Sequence, residues 1–534
     1  MEKLGTKTLE TRHLVLRKFV ESDYEDVYKN YASSQEVTKY LTWEPHKSPL
    51  DTKKYISSVV KEYINDECYH WAIELKKNNE VIGAISSVNS DDNCIELGYC
   101  SSLKVWNNGY MTEALSKVID YLLNEVGYNI ILARHVKANA SSGIVMKKAG
   151  MKYIGTGVEK NIEVDVYKVI KGEQLKNKIE YLLNRIHKDT ISNFKYYTFG
   201  YQQEYRKNEQ ICYGYIPFID SINPDVVVDI IPDIYKYNRP GVLRTSTEYI
   251  CIHDTASAAP SATPKAHNNW LHNMSNDPEN RNSVSWHYTI GDKQIYQHLP
   301  LDEVGHHAGD GTREILEFFP TNIEAKRDGK ITISDDGYYY YNGQNTEIKA
   351  PTDDSGAIMK NEQLPYNGVC YRINEEGKIS IGKTWYSSSY NRIGNRGGNL
   401  NTVGIETCVN QGSNYINTMR NTAYIVGKLI DQFDLPVNRV KQHNDFSGKD
   451  CPMTMRHANL WEEFIELVRT EKYRNDYLNN IKFNFESLSK DYLDDNGIVI
   501  KYEEGKEIAY KVIVDTNEEK LEYIFKCKLG RKEF

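Results

Sequence analysis

Three residues that are far apart in the sequence have the side chains and the setting of a metal site. His253 ends the apolar run EYICIH, which predicts a buried strand, and a histidine at a strand end points into a rim where sites usually form. Downstream, the segment VKQHNDFSGKDCP carries His443 and Cys451, eight positions apart across a glycine-containing loop. Two nitrogen ligands and one thiolate leave a fourth tetrahedral position for water, which is the arrangement of catalytic zinc.

The same three residues also have an ordinary interpretation, because the chain contains 14 histidines and 9 cysteines. A single histidine at a strand end is more often a hydrogen-bonded core or surface residue. A single cysteine is usually a small buried hydrophobe. The spacing alone therefore does not decide between a metal site and plain packing, and the flanking sequences carry the argument further.

Those flanking sequences form an ordered set of motifs between residues 231 and 472. The set comprises YICIHDTAS, VSWHYTIGDKQIYQHLP, VGHHAGDG, GGNLNTVGIETCVN and VKQHNDFSGKDCP. It resembles the type 2 N-acetylmuramoyl-L-alanine amidases, a zinc family that includes phage lysozyme-type amidases and is related to peptidoglycan recognition proteins. The resemblance implies a zinc amidase α/β domain with a central mixed sheet flanked by helices, and peptidoglycan as its substrate.

The resemblance also implies which residues hold zinc. It carries the family's ligands onto His253, His443 and Cys451. The third ligand of the family is an Asp or a Cys, so Asp450 is the competing candidate for the place that Cys451 occupies.

Further roles follow from the same resemblance. It implies that Glu406, in TVGIE, moves the proton and that Lys449 donates to the oxyanion. Without the family, Glu406 would be a strand-end residue paired with an arginine, and Lys449 a solvated loop charge. His307 is expected to line the cleft and contact substrate, and Asn401 to bind there or to orient the strand that leads to Glu406. His287 and His306 are expected to be structural.

A second candidate site lies near the start of the chain. The segment LKVWNNGYMTEALSKVIDYLL places an Asn- and Gly-rich turn before a helix, and free backbone N–H groups at a helix start bind phosphate well. With KANASSGIVMKKAGMKYIGTG and the opening LETRHLVLRKFVESDYEDVYKNY, it resembles the GNAT acetyltransferases over residues 8 to 170. The resemblance implies an α/β domain that binds acetyl-CoA and passes its acetyl group to a small-molecule or protein amine.

The cofactor contacts implied by this second resemblance lie in two places. Backbone amides would cradle the pyrophosphate of acetyl-CoA, and two polar residues would lie near its pantetheine end. The amides are those of Asn108, Gly109, Tyr110, Met111 and Thr112, and the two polar residues are Asn139 and Ser142. Asn107 and Met111 depart from the family's loop, where small residues are usual. Glu96 is a candidate base for the acceptor amine, or else an exposed strand carboxylate.

The patterns divide the chain into four segments and indicate an α/β multidomain protein. Residues 1–172 form the GNAT-like domain, and 173–230 a helical or irregular connector. Residues 231–472 form the amidase domain, with an insertion at about 310–395 that is expected to have structure of its own. Residues 480–534 alternate apolar and polar side chains and predict a small β-sandwich or Ig-like module.

Composition limits the remaining possibilities. The net charge of −8 argues against a nucleic-acid binder, and no apolar run is long enough to predict a membrane span. The first residues contain no apolar h-region, so no signal peptide is predicted, and action on the wall would follow lysis or pore-mediated release, as for an endolysin. The alternatives to an amidase are a peptidoglycan-binding protein without turnover and a bifunctional enzyme whose main role is N-acetylation.

Overall fold

The structure is a computed structural model whose contacts divide the chain into two compact units, Met1–Arg185 (the N-terminal unit) and Ile186–Phe534 (the C-terminal unit). The described residues are 2–198, 208–217, 224–233, 238–239, 241–244, 246–280, 283–308, 318–324, 331–350, 369–373, 376–385 and 397–531. No helix among these residues has the length and apolar character needed to cross a membrane.

The N-terminal unit combines one sheet with helices. Its strands are β1 (Leu9–Glu10), β2 (Leu14–Arg17), β3 (His70–Leu75), β4 (Val81–Ser90), β5 (Cys94–Ser101), β6 (Ile130–Val136), β7 (Lys152–Glu159) and β8 (Ile162–Ile170). Its helices are α1 (Tyr24–Val27), α2 (Gln35–Thr38), α3 (Pro49–Glu62), α4 (Tyr110–Asp120), α5 (Ala140–Lys148) and α6 (Gln174–Ile186). Helix α4 begins soon after β5 and continues as a π-helical turn over Tyr121–Val126.

The sheet of the N-terminal unit has the order β1-β2-β3-β4-β5-β6-β8-β7. Its neighbouring strands run antiparallel except for β5 and β6, which are parallel. The apolar residues that the sequence placed at helical spacing, Leu115, Val118, Ile119 and Leu122, are fully buried against this sheet. The predicted helix is therefore confirmed, and its amphipathic face packs into the main apolar cluster of this unit.

The C-terminal unit contains more strands and six more helices among its described residues. The strands are β9 (Thr190–Thr198), β10 (Asn208–Cys212), β11 (Val226–Val228), β12 (Tyr249–Asp254), β13 (Tyr288–Ile290), β14 (Ile295–Gln297), β15 (Phe318–Glu324), β16 (Ile331–Ile333), β17 (Tyr338–Tyr341), β18 (Gln344–Lys349), β19 (Val369–Ile373), β20 (Lys378–Trp385), β21 (Thr402–Thr407), β22 (Val440–Gln442), β23 (Lys482–Ser487), β24 (Glu507–Asp515) and β25 (Lys520–Arg531). The helices are α7 (Pro264–Asn276), α8 (Gly397–Asn401), α9 (Tyr415–Gln432), α10 (His443–Ser447), α11 (Met453–His457) and α12 (Trp461–Tyr477).

A six-stranded sheet in the order β11-β14-β13-β21-β12-β22 forms the centre of this unit. Strands β13, β21, β12 and β22 run parallel, and β14 runs antiparallel to β13 across the turn at Gly291 and Asp292. Helices α9 and α12 contribute Met419, Val426 and Phe464 to its main apolar cluster. The predicted central mixed sheet with flanking helices is confirmed.

The described part of the insertion forms two small antiparallel sheets, β15-β20-β19 and β16-β17-β18. They share an apolar cluster that includes Ile333, Tyr339 and Ile381. The insertion thus has a core of its own, as expected for a long segment between two strands of one domain.

The last strands of the chain differ from the predicted module. Strands β23, β24 and β25 join β9 and β10 in one five-stranded sheet of order β10-β9-β25-β24-β23. The pairing of β25 with β9 is parallel and links residues 528–531 to residues 190–193. The two packed sheets of an Ig-like sandwich are not seen among the described residues, because strands from the predicted connector extend this single sheet.

Candidate functional site: a buried histidine and cysteine cluster

The central sheet brings the predicted ligands to one edge. His253 lies near the carboxyl end of β12, and Glu406 is its register partner on the parallel strand β21. His443 directly follows β22, which pairs with β12 on its other side. Because the carboxyl ends of parallel strands meet at the same sheet edge, residues distant in sequence become neighbours there.

His253 is the centre of this cluster and is 2% exposed. Its Nδ1 lies 3.7 Å from Sγ of Cys451 and 3.9 Å from Oε1 of Glu406. Its ring centroid is 4.5 Å from that of His443. One ligand atom from each of His253, His443 and Cys451 lies within 4.8 Å of the others. The structure therefore brings the three predicted ligands together.

The hydrogen bonding of His443 shows whether a cation fits this cluster. Both ring nitrogens of His443 are buried, and neither has a hydrogen-bond partner among the described residues. Buried polar atoms in proteins are nearly always paired, so an unpaired imidazole calls for a partner that the described residues do not supply. Two imidazoles and a sulfur at this separation suit a zinc ion.

Burial sets the charge state of the same groups. It lowers the pKa of His253 and His443 well below the ordinary value, and the neighbouring histidines and Lys449 act in the same direction. Both rings are then neutral and can offer a lone pair to a metal. Burial also raises the pKa of the Cys451 thiol well above 9, so an adjacent cation is needed for the thiolate to form.

The neighbouring carboxylate, Asp450, is already engaged by other partners. Its Oδ1 accepts from Nε of Arg456 at 2.8 Å, and its Oδ2 lies 2.7 Å from Nε2 of His457. Burial works to raise the pKa of Asp450, but these two partners outweigh it and the pKa is lowered. The arrangement favours Cys451 over Asp450 as the third ligand.

Glu406 lies beside the cluster, and one oxygen of its carboxyl group, Oε2, is buried without a hydrogen bond from the described residues. Burial raises the pKa of Glu406 well above 4.5, while the charge of Lys449 acts in the opposite direction. The arginine partner that was the alternative for this residue is not found among its described contacts. A carboxyl group with a raised pKa can take up and return a proton at neutral pH.

His307 packs behind His253 rather than standing apart in a cleft. Its Nδ1 lies 2.9 Å from Nε2 of His253, and its Nε2 lies 3.2 Å from Oγ1 of Thr402. A Cβ atom on Gly404 would approach the His307 ring to 2.6 Å, so only glycine leaves room for the ring against β21. These contacts fit a residue that fixes the orientation of His253, and contact with substrate remains a prediction.

The other residues that the sequence singled out have mainly structural settings. Asn401 is buried at the end of α8, and its carbonyl accepts from the Glu248 amide at 2.8 Å just before β21 begins. Nδ1 of His287 accepts from the Gly404 amide at 3.0 Å, and Nδ1 of His306 lies 2.7 Å from the Ser283 carbonyl oxygen. The structural interpretation of both histidines is consistent with these bonds.

Sequence reasoning missed one residue of the cluster. Sγ of Cys251 lies 3.2 Å from Nε2 of His253, and Cys251 with His253 and His307 forms a second group of atoms at metal-binding separation. The signal was available, because Cys251 is two residues before His253 in EYICIH and side chains two apart on a strand share a face.

In the N-terminal unit, the predicted cofactor loop leads into α4. Gly109 caps this helix with φ of 86°, a left-handed conformation that favours glycine, and no side chain caps the helix start. Tyr110 and Thr112 are buried, whereas Asn108 and Met111 are partly exposed. The helix start therefore keeps backbone N–H groups without a side-chain cap, as a phosphate site requires.

The remaining predicted residues of this unit divide into two groups. Asn139 caps α5, and Oγ of Ser142 donates to the Tyr99 hydroxyl at 3.0 Å. Glu96 is not an exposed strand carboxylate, since it is 5% exposed and both of its oxygens accept from the guanidinium of Arg134. This ion pair occupies Glu96 and disfavours it as the base for an acceptor amine.

A buried pair of histidines with a thiol and an unpartnered carboxyl, at the carboxyl edge of a mixed sheet, defines a candidate metallohydrolase domain. Comparison with known protein families supports this assignment and identifies a second segment. Residues 13–152 match the acetyltransferase (GNAT) domain, and residues 243–454 match N-acetylmuramoyl-L-alanine amidase. The chain belongs to the GNAT acetyltransferase family through its N-terminal segment, and its residues 243–454 are similar to N-acetylmuramoyl-L-alanine amidases.

Individual relatives follow the same division. The N-acetylmuramoyl-L-alanine amidase CwlH of Bacillus subtilis is 26% identical over 237 residues, which are 44% of this chain and 58% of that protein. XlyA of the same organism is 24% identical over 45% of this chain and 50% of its own length. An uncharacterized N-acetyltransferase, p20 of Bacillus licheniformis, is 30% identical over 26% of this chain and 77% of its own length. The chain thus spans about half the length of the curated amidases it matches.

Solved structures give similar pairs. An acetyltransferase of the GNAT family from Bacillus anthracis is 25% identical, with a TM-score of 0.28, over 31% of this chain and 100% of that one. The catalytic domain of XlyA is 23% identical, with a TM-score of 0.27, over 46% of this chain and 99% of that one.

Proposed function

We propose that the C-terminal unit is a zinc-dependent amidase that cleaves the amide bond between N-acetylmuramic acid and L-alanine in peptidoglycan. The main support is the convergence of His253, His443 and Cys451, together with the unpartnered nitrogens of His443. The match of residues 243–454 to the amidase family model and the names of the amidase relatives support the choice of bond. We propose that the protein reaches the wall after lysis or through a pore, as an endolysin does.

In this proposal His253, His443 and Cys451 hold the ion, and His307 and Thr402 keep the His253 ring in place. Zinc bound here would lower the pKa of a water to about 7 and polarise the scissile carbonyl. Glu406 takes a proton from the attacking water and returns it to the leaving amine, because its raised pKa lets the carboxyl group hold the proton between the two steps. Lys449 supplies positive charge for the oxygen of the tetrahedral state.

A pair of adjacent substitutions tests the ligand set. We expect Cys451→Ala to lose bound zinc and to stop release of peptides from purified cell walls. Asp450→Ala is the matched control, since it removes a carboxylate one position away, and it should keep zinc and turnover. Metal analysis, wall turbidity with and without a chelator, and mass spectrometry of the digest report the outcomes. Zinc retained by Cys451→Ala but lost by Asp450→Ala would move the ligand to Asp450. If the wild-type protein binds cell walls but releases no peptide, the result would instead support a peptidoglycan-binding protein without turnover.

We also propose that the N-terminal unit binds acetyl-CoA and transfers its acetyl group to an amine of a small molecule or protein. The uncapped start of α4 supports this, because the amides from Asn108 to Thr112 lie at the positive end of an 11-residue helix. Asn139 and Ser142 are proposed to lie near the pantetheine end of the cofactor.

Calorimetry on the full chain tests cofactor binding. We expect a Kd below about 1 mM for acetyl-CoA. Gly109→Ala should weaken binding roughly tenfold, since a left-handed alanine costs about 1–2 kcal/mol and shifts the helix start. Gly172→Ala is the control, because Gly172 is also left-handed, with φ of 84°, and its Cβ would also meet open space. Equal loss in both variants, or no heat at millimolar acetyl-CoA, would contradict the assignment.

A further inference from the structure

The five-stranded sheet at the end of the C-terminal unit carries a cavity of about 310 Å³ that the amidase chemistry does not use. Residues of β9 and β10 form part of its wall, and Tyr213, Tyr502 and Glu504 complete it. The volume is at the lower end of the range of about 300–1,000 Å³ that is typical of ligand pockets. The cavity is therefore large enough for a small ligand or for one unit of a polymer.

Two aromatic rings define one wall of this cavity. The rings of Tyr213 and Tyr502 are nearly parallel, with 17° between their planes and 6.3 Å between their centroids. Tyr213 is 41% exposed and its neighbour on β10, Ile211, is 54% exposed. Exposed aromatic and aliphatic surface that is gathered at a cavity, rather than scattered, marks a binding site.

The backbone fixes this aromatic pair in place. The segment after β10 pairs with the segment before β24, because Tyr215 and Ile498 form an antiparallel bridge and the Val499 amide donates to the Gly214 carbonyl at 3.0 Å. Tyr213 and Tyr502 lie just beyond this bridge, one on each of the two paired segments. The rings are thus held by long-range pairing and not by a single loop.

Polar atoms in the same wall lack partners. Oδ1 of Asn193 and the hydroxyl of Tyr502 are buried and have no hydrogen-bond partner among the described residues. An unpaired buried polar atom costs about 1–3 kcal/mol. Both residues line the cavity, so a bound ligand that reaches these two atoms would supply the missing partners.

The charges at the cavity favour a neutral ligand. Among the residues that the structure describes, one cation, Lys195, and one anion, Glu504, line it, and both side chains are exposed. A sugar ring has the matching chemistry, since it presents an apolar C–H face to aromatic rings and hydroxyl groups to an amide and a phenol. We propose that this cavity binds a sugar ring of a glycan chain. The choice of an amino-sugar glycan rests on the proposed peptidoglycan substrate.

Titration of the full chain with a β-1,4-linked tetramer of N-acetylglucosamine tests the proposal. The tetramer lacks the muramoyl-alanine bond, so turnover does not interfere with the measurement. Tyr213→Ala is expected to weaken binding at least tenfold. Tyr502→Phe removes only the unpartnered hydroxyl, and should weaken binding several-fold without lowering the melting temperature. A hydroxyl with a purely structural role would change the melting temperature and leave the affinity for the tetramer unchanged.

Matched controls separate the cavity from general surface effects. Ile524→Ala removes a side chain that is 64% exposed on β25 of the same sheet but does not line the cavity, and it should bind as the wild type does. Ile211→Ala, within the cavity, should bind more weakly. Cys451→Ala should keep the tetramer affinity even where hydrolysis is lost, so a failed amidase assignment and a failed sugar site give different results.

Three outcomes overturn the proposal. One is the absence of tetramer binding by the wild-type chain at about 10 mM ligand, where even weak sites are filled. Another is wild-type affinity in both Tyr213→Ala and Tyr502→Phe. The third is tyrosine-dependent binding of an alanyl stem peptide in place of the tetramer, which would assign the cavity to the peptide part of the wall.

Discussion

Replacing Gly404 by alanine tests whether His307 holds His253 in its metal-binding orientation. The new Cβ atom would lie 2.6–2.7 Å from three atoms of the His307 ring, well below the ordinary contact of 3.4 Å. The ring must then retreat by about 0.8 Å or the strand must shift. The bond of 2.9 Å between His307 Nδ1 and His253 Nε2 does not survive a retreat of that size.

The expected magnitude follows from two effects. Overpacking against a buried ring costs roughly 1–3 kcal/mol of the free energy of unfolding. Loss of the partner that orients a ligating imidazole typically reduces metal affinity about 10–100-fold. The zinc affinity of Gly404→Ala should therefore fall by at least a factor of about ten. This loss is separate from the packing cost, which lowers the melting temperature of the metal-free protein.

Chelator competition measures this affinity directly, and thermal unfolding without metal measures the packing cost separately. Gly157→Ala is the matched control, because Gly157 also lies in a strand and its Cβ would meet only Val164, at 3.9 Å. If Gly404→Ala binds zinc as tightly as the wild type while the control behaves normally, His307 does not position His253 and the reasoning fails.

Two further predictions concern buried carboxyl groups. Glu406→Gln should keep bound zinc and lose roughly 10²–10⁴-fold in turnover on cell walls, and loss of metal in this variant would instead place Glu406 near the ion as a supporting group. Glu471, on α12, is 1% exposed, and burial raises its pKa to about 7. Its protonated form is favoured in the fold, so its contribution to stability is complete below pH 4.5 and is lost as the pH rises through 7, by on the order of 3 kcal/mol. Glu471→Gln should reduce the difference between the free energies of unfolding at pH 5 and pH 8, measured by denaturant titration. An unchanged difference in this variant would contradict the assignment.

Much of the candidate site could be predicted because its residues lie in short, local patterns. The strand ending at His253 and the loop from His443 to Cys451 can each be recognised from a motif of about a dozen residues. The roles of His307 and Cys251 could not be predicted in the same way. His307 lies more than fifty positions from His253, and its contact depends on the absence of a side chain at Gly404 on a third segment.

The fold shows the same contrast. The apolar spacing in α4 and the turn between β13 and β14 are local signals, and the structure confirms both. The pairing of β25 with β9 joins residues more than three hundred positions apart, and no local pattern specifies which strand a free edge will meet. Alternation predicted strands in residues 480–534 correctly, but it could not identify their partners or the single-sheet arrangement.

The pairing of β25 with β9 also bears on how the amidase fragment can be isolated. A chain cut after α12 would lack β23, β24 and β25 and would leave β9 with an open edge of unpaired amides and carbonyls. Open strand edges recruit strands from other molecules, so such a truncation is prone to self-association. A fragment that begins after β9 and keeps the C-terminus leaves an edge of β25 unpaired instead. Fragments that include both ends of the C-terminal unit are therefore expected to remain monodisperse.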